Sequence, residues 1–242
     1  MVLIMKKLFN MKNLMRFILF TFIASIVFIS VRIILAPTIV PADATFAGAD
    51  TRVKGDYVLM LLQSIFGVIA MLLPRFLRRR AKINIPSVMM IAYAVFLYSA
   101  IYLGEVRAFY YQVRHWDTIL HTFSGAALGA LGFSIVSLLN KSESITFELS
   151  PVFVAMFAFC FAVTLGVIWE IYEYTMDYFI HTNMQKYAFE TGELLIGQEA
   201  LIDTMKDLVV DALGAFAVSV IGFISLKYDK KWLDRFHIRR VS

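Results

Sequence analysis

Three short stretches of the 242-residue chain carry residue types and spacings able to do chemistry. The first is Trp116-Asp117 followed four residues later by His121, with Ser124 and Gly125 below. The second is GVIWEIYEYTMDYF (166–179), which holds Glu170, Glu173 and Asp177; the third is Asp203, Asp207 and Asp211. Spacings of three, four, seven and eight residues put side chains on one face of an α-helix. A carboxylate-rich set with a single imidazole suits Mg²⁺, Mn²⁺ or Ca²⁺, and Zn²⁺ is also compatible. The candidate metal ligands are therefore Asp117, His121, Glu170, Glu173, Asp203, Asp207 and Asp211, and His121 is the candidate general base.

Each stretch also has a plainer reading. Asp117 and Asp203 are placed to act as helix caps or first-turn acids that suit the helix dipole. Asp177 reads as an ordinary solvated acid on a helix emerging into water. Gly125, Gly129 and Gly132 read as a packing face rather than a ligand site. Glu170, Asp207 and Asp211 resist such readings, because each sits against an apolar run.

The elements that must position these groups are membrane spans. The chain is 60% hydrophobic and only 17% charged, against about a quarter charged in soluble domains. Six apolar runs, near 14–36, 57–74, 86–104, 118–139, 151–174 and 204–226, are long enough to cross about 30 Å of hydrocarbon as helices. The expected fold is all-α: one polytopic transmembrane bundle occupying residues 1–242. No separate soluble domain, repeat or low-complexity tract interrupts it. The lone cysteine, Cys160, can form no internal disulfide and says nothing of redox compartment.

Charge placement gives the topology. With the N-terminus inside, the inner segments hold Lys6, Lys7, Lys12 and Arg16, the run Arg75 to Lys82, Lys141, and the basic tail from Lys227 to Arg240. The outer loops hold only Arg52, Lys54, Arg107, Arg114 and Lys186. The positive-inside rule then predicts N-in and C-in, in a cell (cytoplasmic) membrane. Basic blocks alternating with apolar runs argue against a nucleic-acid partner despite the net charge of +5. The first run reads as an uncleaved anchor, since Arg32 interrupts it and Pro41 crowds the signal-peptide-like Ala42-Asp43-Ala44; Met11 offers a second start.

Of the 18 acids, only Glu143, Glu148, Asp229 and Asp234 fall on the inner side. The three motifs thus share the outer end of the spans, where uncompensated carboxylates repel one another or recruit a cation. Lys206, Arg32, Arg107 and Arg114 are candidate counter-charges, and an acidic surplus remains after them.

The segments WDTILHTFSGAALGA (116–130), WEIYEY (169–174) and DTMKDLVVDALGA (203–215) resemble the YjdF-like family of bacterial inner-membrane proteins. Asp117, His121, Gly125, Glu170, Glu173, Asp203, Thr204, Asp207, Gly214 and Ala215 fall on the family's motif positions, and Tyr174 stands where Trp is common. The resemblance covers roughly residues 86–226, and a looser one exists to VanZ-like membrane proteins. It implies a membrane bundle with an acidic site and carries no reaction.

Three function classes fit the residues. One is a divalent-metal-dependent enzyme acting on a lipid or envelope substrate at the outer leaflet. Another is a transporter or sensor of a cation or small solute, which the one-sided gathering of acids disfavours. The third is a non-catalytic scaffold with a structural polar network. The sequence holds no P-loop, no Gly-x-Ser-x-Gly elbow and no multi-His pattern.

Overall fold

The computed structural model describes residues 11–38, 52–140, 149–189, 193–228 and 238–240. The Ala42-Asp43-Ala44 segment, the first ten residues, the turn at 141–148 and most of the basic tail lie outside the described residues, as do Glu190, Asp229 and Asp234.

Among the described residues, six helices are long and apolar enough to span a membrane, as expected. They are α1 (Met11–Leu35), α2 (Lys54–Arg80), α3 (Ser87–Leu97, continuing as a π-helix over Tyr98–Val106), α4 (Trp116–Asn140), α5 (Pro151–Ile180) and α6 (Ile202–Lys227). Beside them stand a four-residue helical turn, Phe109–Gln112, a 3-10 turn, Gly197–Leu201, and a two-residue strand pair. In that pair β1 (Ile83–Asn84) runs antiparallel to β2 (Arg239–Arg240).

Local chemistry explains the ends. Val53 donates its N–H to Asp56 Oδ2 at 2.8 Å, the reciprocal half of a capping box, so α2 begins at Lys54. Ser150 accepts the Phe153 N–H on its hydroxyl, and Pro151 takes the first helical position of α5. Hydroxyls inside spans return to the carbonyl one turn back: Thr21 to Phe17, Ser25 to Thr21, Ser30 to Ile26. A polar group in hydrocarbon needs such a partner.

Two spans are longer than their apolar runs. Pro74 does not end α2, which continues to Arg80, and α5 runs to Ile180 rather than stopping near 174. Proline forfeits one backbone hydrogen bond without obliging a helix to stop. Basic residues close α2, and an aromatic-rich stretch closes α5.

The chain divides into two compact units. One comprises the described parts of Met1–Met71, Leu97–Arg114 and Glu170–Met205. Its core joins Ile29, Ala36, Tyr57 and Met60, with Val106 packed against them. Arg32, in the apolar length of α1, donates from Nη2 to the Tyr57 hydroxyl at 2.6 Å and lies over the same ring. That bond and stacking give a guanidinium a tolerable place in a span.

Asp177 reverses the expectation of a solvated acid. It is buried, 6% exposed, and its carboxylate accepts three hydrogen bonds. The donors are the Thr182 hydroxyl at 2.6 Å, the Met184 N–H at 2.8 Å and the Gln185 N–H at 2.9 Å. The chain after α5 folds back over this carboxylate. Asn183 then brackets Ala188 with both ends of its amide, and Gln185 donates to Thr204 Oγ1 at 2.8 Å. Asp177 therefore organises the connection from α5 towards α6.

Removing that carboxylate has a readable cost. Hydrogen bonds to a charged group each stabilise by about 1.5–3 kcal/mol. Asp177→Ala is expected to make the 181–189 segment the first site of limited proteolysis in detergent while the spans stay intact. Unchanged cleavage would show that the loop does not depend on Asp177.

Candidate functional site

The second unit comprises the described parts of Leu72–Phe96, His115–Trp169 and Lys206–Ser242. Its packing begins with glycines. A Cβ at Gly125 of α4 would run into the Asp211 backbone of α6, and a Cβ at Gly214 would run into the Thr122 backbone of α4. The two helices touch backbone to backbone at this crossing, which only glycine permits. Lower down, Gly132 packs on Ala158 of α5 and Gly222 faces the Phe133 ring. Phe133, Val136, Val154 and Ala158 form the apolar core beneath.

One turn from the crossing, four of the expected site residues meet. His121 Nδ1 lies 3.2 Å from Asp211 Oδ2, and the Ser124 hydroxyl donates to Asp211 Oδ1 at 2.6 Å. The other imidazole nitrogen, Nε2, stands 3.7 Å from Asp117 Oδ1 and 3.8 Å from Asp207 Oδ2. Asp207 and Asp211 are buried, whereas the Asp117 side chain is 23% exposed and opens the cluster to its surroundings. A notch at Gly166 of α5 completes it, because a Cβ there would come within 2.9 Å of Asp211 Oδ2.

The two nitrogens of His121 have different surroundings. Nδ1 is at hydrogen-bond distance from one carboxylate. Nε2 faces two further carboxylates at distances too long for hydrogen bonds. One ligand atom each from Asp117, His121 and Asp207 lies within 4.8 Å of the others. Ligand atoms held at about 2.1 Å around a tetrahedral ion stand about 3.4 Å apart, so small side-chain adjustments would close the set on a metal. An imidazole oriented by a carboxylate on its far nitrogen is the usual arrangement behind a metal-binding histidine.

The other three candidates belong to the first unit. Glu170 and Glu173 are buried on α5, 5% and 9% exposed, while Asp203 is half-buried at the start of α6. The three-ligand group includes none of them, nor Asp211, which faces Nδ1 instead. Ser124 and Gly166 are neighbours of the cluster that a search for acids and histidines passes over. Their only signal is spacing: Ser124 follows His121 by three residues, and Gly166 precedes Glu170 by four.

Residues 34–228 match the model of a family described as predicted membrane protein (DUF2238). The chain belongs to that family. The matched length includes every residue of the cluster. An uncharacterised protein of Thermotoga maritima is 31% identical over 133 residues, which is 55% of this chain and 59% of that relative. The chain thus spans about three-fifths of the relative's length. No solved structure matches it.

The crossing itself can be tested within this family member. Gly125 and Gly129 lie one turn apart, yet a Cβ at Gly129 would meet Ala215 and Val218 only at ordinary contact distance, 3.5 Å. Gly125→Ala is expected to destabilise the protein in detergent by about 1–3 kcal/mol, as overpacking does, with Gly129→Ala near wild type. Equal melting temperatures for the two variants would contradict the close crossing.

Proposed function

We propose that Asp117, His121 and Asp207 bind a divalent cation, with Asp211 and Ser124 fixing the imidazole. The observation that carries this reading is the pairing of an oriented His121 Nδ1 with a three-atom ligand group around Nε2. Three carboxylates crowded on one histidine also favour a cation on electrostatic grounds. The donor set, two carboxylates and one imidazole, suits Mn²⁺ or Zn²⁺ better than Ca²⁺, which takes more oxygens.

On this reading the protein is a metal-dependent enzyme acting on a lipid or lipid-linked envelope substrate. Asp117, the most exposed of the ligands, marks the side from which substrate and water would approach. The cation would polarise a phosphoryl or carbonyl group there. A ligating His121 would not serve as general base, and the same holds for a ligating Asp117 or Asp207, so on this reading the cation itself carries the chemistry. The membership fits the YjdF-like resemblance, and the basic blocks support N-in/C-in orientation in a cytoplasmic membrane, with the cluster facing outward.

A second reading has its own support. Asp211 already has a partner for each oxygen, His121 and Ser124, as a structural polar network would require. An imidazolium clasped by carboxylates would then tie α4 to α6 without a metal.

Cation-dependent stabilisation separates the two. Mn²⁺ or Zn²⁺ is expected to raise the melting temperature of the purified protein, and Asp207→Asn or His121→Ala to abolish the rise. Glu170→Gln and Asp203→Asn are expected to retain it. No cation effect on the wild type would leave only the structural network standing.

A further inference from the structure

The end of α2 presents a surface that the cluster does not use. Leu72, Leu73 and Phe76 are 45%, 46% and 58% exposed on one face of that helix, while Pro74 on the opposite face is buried. Arg79 and Arg80 follow Phe76 by three and four residues, so they continue the same outward stripe. Both are exposed, as are Arg75, Arg78 and Lys82. Residues 72–84 contain no acid, and these five basic side chains make no ion pair with any other described residue.

The backbone brings a second segment to this end. Lys82 adopts a left-handed conformation (φ 52°) that turns the chain into β1. There Ile83 pairs with Arg240 and Asn84 with Arg239, so two arginines more than 150 residues distant in sequence are carried to the end of α2.

We propose that this end of α2 is a binding surface for anionic phospholipid, with Arg79 and Arg80 taking the headgroup phosphate. A face that is apolar for a turn and basic in the next matches a lipid, whose acyl chain and phosphate stand in that order. A soluble anion would engage the guanidinium groups alone, whereas a phospholipid engages them together with the adjoining turn of exposed Leu72, Leu73 and Phe76. Guanidinium offers two parallel donors to phosphate oxygens, and a cluster of this size beside a span is the usual footprint of acidic lipid. The assignment holds whichever side of the membrane this end faces.

The test compares short-chain phosphatidylglycerol with phosphatidylcholine on the full-length protein in neutral detergent, read by native mass spectrometry. Phosphatidylglycerol is expected to be retained roughly tenfold more strongly and to be released as salt rises. Arg79→Gln/Arg80→Gln should remove the preference, and Arg107→Gln, in the loop before Phe109, should keep it. Equal retention of the two lipids by the wild type, or an undiminished preference in the double variant, overturns the proposal. Displacement by inorganic phosphate as efficient as by excess phosphatidylglycerol would reduce the site to a free-anion site and overturn it too. Should the double variant fail to insert, the lipid ratio and salt dependence of the wild type decide alone.

Discussion

The contact on which the second unit depends is the backbone crossing of α4 and α6 at Gly125 and Gly214. Between helices in lipid there is no hydrophobic gain from pairing apolar faces, so close packing and polar contacts must hold them. Glycine at both positions removes the side chains that would keep the backbones apart. That closeness brings His121 within 3.2 Å of Asp211 and Ser124 within 2.6 Å. A bulkier crossing would part these groups, and a buried polar group without a partner is costly.

Two polar sites show how differently the fold uses carboxylates. Asp177 is enclosed by donors, two of them backbone amides, and the result is a fixed loop. Around His121 the balance runs the other way. Nε2 meets two carboxylate oxygens beyond hydrogen-bond reach, one of them from partly exposed Asp117. A donor-rich surrounding makes an acid structural. An acceptor-rich surrounding open on one side invites a cation.

Much of the fold was legible because the bilayer imposes a simple length rule. Six apolar runs became six helices long and apolar enough to span, and the i, i+4 spacings in Asp117–His121 and Asp207–Asp211 placed on common faces side chains that meet in the structure. The span ends were less legible. Arg75 to Arg80 look like loop residues but extend α2, and α5 continues past its apolar run to Ile180, because a helix can outlast the apolar signal that marks it. The π-helical close of α3 leaves no trace in a 3.6-residue periodicity. Asp177 was misread for a physical reason: its main partners are backbone N–H groups, which every residue but proline carries, so no side chain announced them. Ser124 was visible as a neighbour of His121, yet serine bonds so often to its own helix that its second acceptor, Asp211, could not be foreseen.

The proposed cation site requires His121 to be held through Nδ1 by Asp211 so that Nε2 joins Asp117 and Asp207. X-ray absorption at the metal edge of Mn²⁺- or Zn²⁺-loaded protein addresses it most directly. One imidazole nitrogen and carboxylate oxygens at about 2.0–2.2 Å are expected, with the imidazole signal lost in His121→Ala. A spectrum with oxygen scatterers alone, identical in the wild type and His121→Ala, would contradict it.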